Sequence, residues 1–351
     1  MDHTLICDYI ASGSTDEARF ESLALGVFAW QYERIEAVRR LADRAGRPPA
    51  AVHTWRDIPA VPTAAFKRLD LFTGGEVARV FTSSGTAGTK SRAVFSAEGL
   101  ALMDEAIRVN ARAMLFPDGR ATRILVLAPP PEAAPGMIMA YGMDRLIREF
   151  GLEGSRFLLG PGGLDALAVV GMLEEAAAEG VPVTLIGASF GFVHLLDGLV
   201  AAGRRIACAP GSRTMDAGGF KGRSREVSRH ELGAAIEAQL SIPAWRAPNL
   251  LGMTELASQV YDGVLRLPAR PRRKVNPPWT RTRVLDPETL EDAAPGMPGL
   301  LWHLDLANVE RPMVVQTDDL GVMDEYGFEV LGRAAGAEAR GCSLSIEELL
   351  Q

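Results

Sequence analysis

The spacing of apolar residues changes along the chain, and each pattern predicts a different kind of structure. Over residues 22–46, SLALGVFAWQYERIEAVRRLADRAG, apolar residues recur at intervals of three and four, which predicts helix. Later runs such as RILVLAPPP and VPVTLIGAS predict buried strands, and they alternate with stretches of helical spacing such as LDALAVVGMLEEAAAEG. Alternating strands and helices predict an α/β fold with a parallel or mixed sheet.

These patterns divide the chain into four predicted regions. We expect a helical region over residues 1–75 and an α/β nucleotide-binding subdomain over residues 76–242. After that the sequence turns to short strands and turns rich in Pro, Gly and Asp, which predicts a smaller β-rich subdomain over residues 243–335. Residues 336–351 then form a short C-terminal tail that contains Cys342.

Composition and charge exclude several classes of protein. The chain has 351 residues, 47% of them hydrophobic, which is enough for a large core. Its 37 basic and 44 acidic residues give a net charge of −7 without any basic block, so we expect no nucleic-acid partner. Cys7, Cys208 and Cys342 are too few and too far apart for a disulfide framework or a zinc cluster. With no signal peptide and no membrane span in the pattern, we expect a cytoplasmic protein.

Residues 80–92, VFTSSGTAGTKSR, combine glycines with hydroxyl side chains and end in two basic residues. Such a loop offers backbone N–H and side-chain donors that suit phosphate oxygens. The flanking patterns predict that it joins a strand to a helix. It is not a Walker loop, because Thr89 separates Gly88 from Lys90. An ordinary solvent-exposed turn is the alternative interpretation.

Three further stretches carry groups that suit a nucleotide. LLGMTELAS places Glu255 after a short apolar strand, where a carboxylate could hold Mg²⁺ beside phosphates. VVQTDDLGVMDEYGFEVLGR places Asp318 and Asp319 at the end of a strand and Arg333 at the end of the next, so that an Asp could accept the ribose hydroxyls and Arg333 could add a charged hydrogen bond. GSRTMDAGGFKGR sets two glycines beside Phe220, which could stack on adenine. Taken singly, each stretch also has an ordinary structural interpretation: Glu255 as a helix-cap acid, the Asp pair as a turn, and the glycines as a hairpin.

The order of these stretches resembles the adenylate-forming superfamily of acyl-CoA synthetases and peptide-synthetase adenylation domains. Within it the sequence is most similar to LuxE-type acyl-protein synthetases, which are relatives of phenylacetate-CoA ligase. The resemblance covers nearly the whole chain and includes VPTAAFKRLDLF, LIGASFGFVHLLD, WTRTRVLDPETL, HLDLAN and RGCSLSIEEL. It implies the large-domain fold of that superfamily, with mixed and parallel sheets and a smaller β-rich subdomain.

The resemblance also implies a site for ATP and Mg²⁺. It places Thr82, Ser83, Ser84, Gly85, Thr86, Gly88 and Lys90 at the β- and γ-phosphates, Gly218, Gly219 and Phe220 at the adenine, Thr254 and Glu255 at the α-phosphate and Mg²⁺, and Asp319 and Arg333 at the ribose.

The implied reaction activates a carboxylic acid, fatty or aryl, as acyl-AMP and then passes the acyl group to a thiol. Attachment to AMP gives the acid a good leaving group, while Mg²⁺ and Lys90 neutralise the departing pyrophosphate. In LuxE-type proteins the thiol belongs to a cysteine near the C-terminus, and Cys342 matches it; a small buried hydrophobe is the other interpretation of Cys342. A reductase, a carrier protein or coenzyme A could be the later acceptor.

The sequence departs from the wider superfamily after Arg333. Most members continue into a further C-terminal domain whose lysine contacts the acyl carboxylate and the α-phosphate, and no counterpart of that domain is expected here. Ala334 and Ala335 stand where those members have a charged hinge pair, so we expect no large domain rotation. Lys221 could supply the missing positive charge, or it could be a solvated surface lysine.

Other functions remain open from the residues alone. GASFG fits the G-x-S-x-G nucleophile elbow, and an α/β-hydrolase would use Ser189 with Asp197 or Asp216 and with His230 or His303. That alternative leaves GMTE, TDDLG and the hydroxyl-rich loop unexplained. An acyl-CoA or carrier-thiol ligase and a non-catalytic acyl- or nucleotide-binding protein are the remaining alternatives.

Overall fold

The computed structural model describes residues 2–83, 89–218 and 224–333. Within these ranges the α-helices are α1 (His3–Ser12), α2 (Glu17–Arg34), α3 (Glu36–Arg44), α4 (Ala97–Met114), α5 (Ile138–Phe150), α6 (Ala166–Glu179), α7 (Ser189–Ala201) and α8 (Arg229–Leu240). The strands are β1 (Val61–Pro62), β2 (Arg79–Thr82), β3 (Arg92–Phe95), β4 (Arg123–Leu127), β5 (Arg156–Phe157), β6 (Leu159–Gly160), β7 (Gly163–Leu164), β8 (Val183–Ala188), β9 (Arg213–Ala217), β10 (Asn249–Leu251), β11 (Val260–Asp262), β12 (Lys274–Val275), β13 (Thr280–Leu285), β14 (Gly299–Asp305), β15 (Val314–Asp324) and β16 (Gly327–Arg333).

The chain folds into two compact units. The first unit takes the described residues within 1–109, 253–259 and 273–351, and the second takes those within 110–252 and 260–272. The four domain boundaries expected from the sequence stay a prediction.

The first unit combines helices α1 to α3 with an antiparallel sheet. The sheet runs in the order β13, β14, β15, β16, β12, and β1 pairs parallel to β15. Asp16 caps α2 by accepting a hydrogen bond from the Arg19 backbone N–H, and the three-and-four spacing buries one face that includes Phe20 and Phe28. Helix is therefore confirmed where the apolar spacing predicts it.

The second unit is built around a parallel sheet. Strands β10, β9, β8, β4 and β5 are parallel neighbours in that order, and β11 pairs antiparallel to β10. Helices α5 to α8 occur between these strands in the chain, as in other α/β folds. Leu185 of β8 and Phe192 of α7 belong to one buried cluster. The α/β fold with a parallel sheet is confirmed.

The structure corrects the context of the hydroxyl-rich loop. The loop does not join a strand to a helix, because β2 pairs antiparallel with β3 and the loop lies between them. Helix α4 begins only at Ala97, where Ser96 Oγ accepts a hydrogen bond from the Gly99 backbone N–H at 3.1 Å. The four-residue strand β3 is too short to be separated from the following helix by periodicity.

None of the helices within the described ranges is both long and apolar enough to cross a membrane.

Candidate functional site

The base of the hydroxyl-rich loop is closed by two hydrogen bonds between its ends. The Ser83 backbone N–H donates to Ser91 O at 3.0 Å, and the Ser91 backbone N–H donates to Ser83 Oγ at 3.0 Å. Thr82 ends β2 opposite Arg92 of β3, and Lys90 is exposed to solvent. Thr82, Ser83 and Lys90 therefore lie at or beside the end of one hairpin.

Several predicted residues lie outside the described part of the chain. They are Ser84, Gly85, Thr86 and Gly88 of the loop, Gly219, Phe220 and Lys221 of the GSRTMDAGGFKGR stretch, and Cys342 of the tail. Their assigned roles stay predictions.

Glu255 is a buried carboxylate of the first unit, with 7% of the residue exposed. Burial raises the pKa of Glu255, while a hydrogen bond from the Ser91 side chain and the charge of Lys67 act in the opposite direction. The negative charge of Asp319 raises the pKa of Glu255 further. Ser91 at the base of the hairpin and Asp319 of β15 therefore both influence the Glu255 carboxylate.

Two side chains hold the backbone around Glu255. The Asn308 amide donates through Nδ2 to Glu255 O at 2.8 Å and accepts through Oδ1 from the Ala257 backbone N–H at 3.0 Å. The Asp305 carboxylate accepts from Ser258 N at 2.7 Å and from Ser258 Oγ at 2.8 Å. Because both Asn308 and Asp305 are completely buried, these hydrogen bonds fix the segment that carries Glu255.

Asp319 and Arg333 face each other across the β15–β16 ladder. Arg333 Nε lies 3.7 Å from Asp319 Oδ1, and the Arg333 side chain is 83% exposed. Burial raises the pKa of Asp319, Arg333 lowers it, and Asp318 raises it. The Asp319 backbone N–H donates to Thr317 Oγ1 at 3.1 Å, which holds the strand at this point.

The remaining described candidates are Thr254 and Gly218. Thr254 is buried next to Glu255 in the chain. Gly218 directly follows β9 in the second unit and has a φ of 71°, a left-handed conformation that favours glycine. The structure therefore pairs Asp319 with Arg333 in the unit that also holds Ser91 and Glu255, and it places Gly218 at the end of a parallel strand of the second.

The local fold around Ser189 matches a nucleophile elbow, but the hydrogen bonds do not. Ser189 begins α7 immediately after β8. Its hydroxyl is buried and donates towards Asp216 Oδ2 at 2.7 Å and Gly218 O at 3.0 Å. A serine nucleophile needs an imidazole that accepts its proton, whereas both partners here are oxygens.

Asp197 and His303 of the hydrolase alternative have other partners. Asp197 Oδ1 forms an ion pair with Arg225 Nη2 at 2.8 Å. His303 Nδ1 lies 2.9 Å from Thr282 Oγ1, and burial lowers the pKa of His303 to about 4. His230 is exposed on α8. These contacts do not favour a Ser–His–Asp triad among the described residues.

Four residues of the first unit that contribute to this site received no role from the sequence. They are Lys67, Ser91, Asp305 and Asn308. Ser91 follows the loop directly, and Asp305 and Asn308 lie in the HLDLAN stretch. The available signal was the concentration of polar residues in HLDLAN, a stretch whose apolar neighbours predict burial.

Among the described residues, no group of three or more His, Cys, Asp or Glu side chains is placed to hold a metal ion. A cation at Glu255 would therefore share its coordination with substrate oxygens, which is how Mg²⁺ binds beside phosphates. The Glu255 carboxylate fits such an ion by its chemistry, because a carboxylate supplies the oxygen ligand that Mg²⁺ prefers.

Two solved structures show which fold this chain has. A 2-hydroxyisobutyryl-CoA ligase in complex with 2-HIB-AMP and CoA aligns with a TM-score of 0.69 at 14% identity, over 90% of this chain and 74% of that one. A long-chain-fatty-acid-CoA ligase from Archaeoglobus fulgidus aligns with a TM-score of 0.53 at 14% identity, over 74% of this chain and 52% of that one. The chain has the fold of adenylate-forming ligases, as its sequence motifs predict.

The family follows from sequence similarity. The family described as "Acyl-protein synthetase, LuxE" matches residues 9–351, and the chain belongs to that family of ligases. The long-chain-fatty-acid–luciferin-component ligase of Aliivibrio fischeri is 25% identical over 313 residues, which cover 86% of this chain and 80% of the relative. The ligase of the same name from Vibrio harveyi is 24% identical over 340 residues, covering 93% and 86%. The predicted family and enzyme class are confirmed.

Proposed function

We propose that this chain uses ATP to convert a carboxylic acid into an acyl-AMP and then transfers the acyl group to a thiol. The single observation that supports this most strongly is the Glu255 carboxylate, which is buried in the first unit and whose pKa responds to the Ser91 side chain and to the charges of Lys67 and Asp319. A long-chain fatty acid is the proposed substrate class, because two relatives are ligases named for such acids.

In the proposed first step, a carboxylate oxygen of the substrate attacks the α-phosphorus of ATP and the bond to pyrophosphate breaks. Glu255 would hold Mg²⁺, which supplies positive charge to the phosphate oxygens when it is bound. Lys90 at the end of the hairpin, together with the hydroxyl-rich loop, would contact the leaving pyrophosphate. Lys67 adds positive charge in the range of Glu255, and Lys221 stays a second proposed source of such charge.

The nucleotide would be oriented by groups from two strands. The Asp319 carboxylate would accept hydrogen bonds from the ribose hydroxyls, and Arg333, opposite it in the ladder, would add a charged donor. Thr254 would lie at the α-phosphate and Gly218 at the adenine. Holding the α-phosphorus in line with the attacking oxygen is the main contribution that the protein makes to such a reaction.

In the proposed second step, the Cys342 thiolate attacks the acyl carbonyl carbon, the bond to AMP breaks, and a thioester forms. The two cysteines in the described residues suit this role poorly. Burial raises the pKa of Cys208 to about 11 and also raises the pKa of Cys7, which disfavours the reactive thiolate at both. The proposed acyl acceptor therefore stays Cys342, as the family resemblance implies.

The test follows pyrophosphate and covalent label separately, with radiolabelled fatty acid, ATP and Mg²⁺. Wild type and the control Cys208→Ser should release pyrophosphate and gain a label that neutral hydroxylamine removes. Cys342→Ser should release pyrophosphate without gaining that label. A hydroxylamine-labile acyl group on Cys342→Ser would refute self-acylation.

An acyl-CoA or carrier-thiol ligase is the second candidate, and the fold shared with CoA ligases favours it. Acylation of added coenzyme A by wild type, with no label on the protein, would support this candidate over self-acylation. A panel of fatty and aromatic acids in the same pyrophosphate assay identifies the substrate class, and a preference for aromatic acids would overturn the fatty-acid proposal.

A further inference from the structure

A polar cluster lies at the carboxyl ends of the parallel strands β8 and β9 in the second unit, beside the first residue of β10, and the chemistry proposed above does not use it. Its centre is Asp216 of β9, which is 3% exposed. Asp216 is level with Gly187 of β8 and with Asn249 of β10. In open α/β sheets this end of the strands is where ligands bind.

The Asp216 carboxylate is held by three side chains. Ser189 Oγ lies 2.7 Å from Asp216 Oδ2, Asn249 Nδ2 lies 3.1 Å from the same oxygen, and the Arg229 guanidinium forms an ion pair with Oδ1. Asn249 Nδ2 also donates to Asp216 O at 3.0 Å. Several donors therefore compensate the cost of burying this carboxylate, and together they hold it in a defined position.

The hydroxyl group of Ser189 connects the cluster to the backbone of Gly218. Ser189 Oγ lies 3.0 Å from the carbonyl oxygen of Gly218 as well as 2.7 Å from Asp216 Oδ2. A serine hydroxyl carries a single proton, so the two oxygens share it. The left-handed residue Gly218 is thereby connected to the carboxylate, and the position of its peptide depends on both Ser189 and Asp216.

We propose that Asp216 and Ser189 are positioning residues that hold the Gly218 backbone and so determine how tightly the chain binds the adenine ring of ATP. The inference rests on the proposed function, in which Gly218 lines the adenine site. Recognition of a planar base by backbone groups requires placement within about 0.5 Å, which depends on the supporting hydrogen bonds. This role also explains the serine of GASFG without making it a nucleophile.

The expected signature is a change in nucleotide affinity that the acid substrate does not share. Ser189→Ala removes the shared hydroxyl but keeps the helix, and we expect the Kd and KM for ATP to rise about three- to tenfold. Asp216→Asn removes the charge that Arg229 pairs with, and the same constants should rise at least as much. The KM for the acid should stay within about twofold of wild type, because mutations at independent sites usually affect each other by no more than that.

The opposite end of β9 offers a matched control. Asp118 pairs with Arg213, the first residue of β9, with Nη2 at 2.8 Å from Oδ2. Asp118→Asn therefore weakens a comparable Asp–Arg pair on the same strand, at the end away from Gly218. We expect this variant to lower thermal stability and to leave the Kd for ATP unchanged.

The experiment measures ATP and GTP binding by isothermal titration calorimetry, and pyrophosphate release with ATP and acid varied independently. A smaller preference for ATP over GTP in Ser189→Ala and Asp216→Asn, but not in Asp118→Asn, supports the inference. If Asp216→Asn does not fold, Ser189→Ala alone decides. A folded Ser189→Ala with the ATP Kd and the ATP/GTP preference of wild type overturns the inference.

The proposed function fails in a different way. Wild type would then neither bind ATP nor release pyrophosphate in the presence of any acid in the panel. A wild type that forms acyl-AMP, together with a Ser189→Ala variant whose Kd for ATP is unchanged, leaves the proposed function intact and removes only the positioning role. Equal rises in the KM for ATP and for the acid would also count against the positioning role, because they indicate a general disturbance of the site.

Discussion

The hydrogen bonds of Asn308 predict that this residue is needed both for stability and for the use of Mg²⁺. Its side chain donates to Glu255 O at 2.8 Å and to Pro312 O at 3.2 Å, and it accepts from Ala257 N at 3.0 Å and from the Arg311 guanidinium. Asn308→Ala leaves these four groups without this partner in a completely buried position.

The size of the effect follows from these contacts. A typical hydrogen bond contributes about 1 kcal/mol net, and a buried group left without a partner costs about 1–3 kcal/mol. Because water can partly replace the lost partners, we expect Asn308→Ala to lower the free energy of unfolding by about 3–5 kcal/mol. The Glu255 carboxylate should also become less well oriented, so the concentration of Mg²⁺ for half-maximal pyrophosphate release should rise.

The assay separates the two effects with a control in the same unit. Thr282→Val removes a buried hydrogen bond to His303, at 2.9 Å, that is not part of the Glu255 segment. Both variants are unfolded in urea, and their Mg²⁺ dependence is measured at a temperature at which both are folded. Thr282→Val should lose stability only. An Asn308→Ala variant with the unfolding free energy or the Mg²⁺ requirement of wild type would contradict this reasoning.

Three further perturbations test other parts of the structure. Lys90→Ala should raise the KM for ATP with no change in thermal stability, because Lys90 is exposed; unchanged ATP kinetics would argue against its contact with pyrophosphate. Glu255→Gln should suppress pyrophosphate release even at saturating ATP, whereas Asp319→Ala should chiefly raise the KM for ATP, and equal behaviour of the two variants in steady-state kinetics would contradict their separate roles. The pKa of buried His303 is lowered to about 4, below an unfolded value of about 6.5, so stability is fully present above pH 6.5 and is lost as the pH falls towards 4. From pH 7 to 5 this loss is about 2 kcal/mol, and urea unfolding of His303→Gln should lack that part of the pH dependence.

Much of the fold could be predicted from local patterns. The spacing of apolar residues identifies α2 and α3, and the alternation of apolar runs with helical stretches identifies the parallel sheet of the second unit. The hairpin formed by β2 and β3 was missed, because β3 has only four residues and is followed at once by α4. Pairing between strands is a tertiary interaction, and a short strand has too few residues to show a period of its own.

The sequence could suggest only those candidate site residues that stand in local motifs. Glu255, Asp319 and Arg333 stand in motifs that could be read from consecutive residues. Asn308 acts on Glu255 from 53 positions away along the chain, and Asp305 acts on Ser258 from 47 positions away. No local pattern records such a contact, so the residues that hold the Glu255 segment could not be predicted from consecutive residues.

The energetics of Glu255 connect the fold to the proposed chemistry. Burial of a carboxylate is costly, and the raised pKa of Glu255 shows that the Ser91 hydrogen bond and the Lys67 charge do not cancel that cost. The hydrogen bonds of Asn308 to Glu255 O and Ala257 N limit how far the segment could move to reach water. A bound cation would relieve the unfavourable charge without such a movement, and a site organised in advance loses little free energy to rearrangement during reaction. If the proposed function holds, the buried hydrogen bonds of HLDLAN keep the Glu255 segment fixed before a metal and a nucleotide bind.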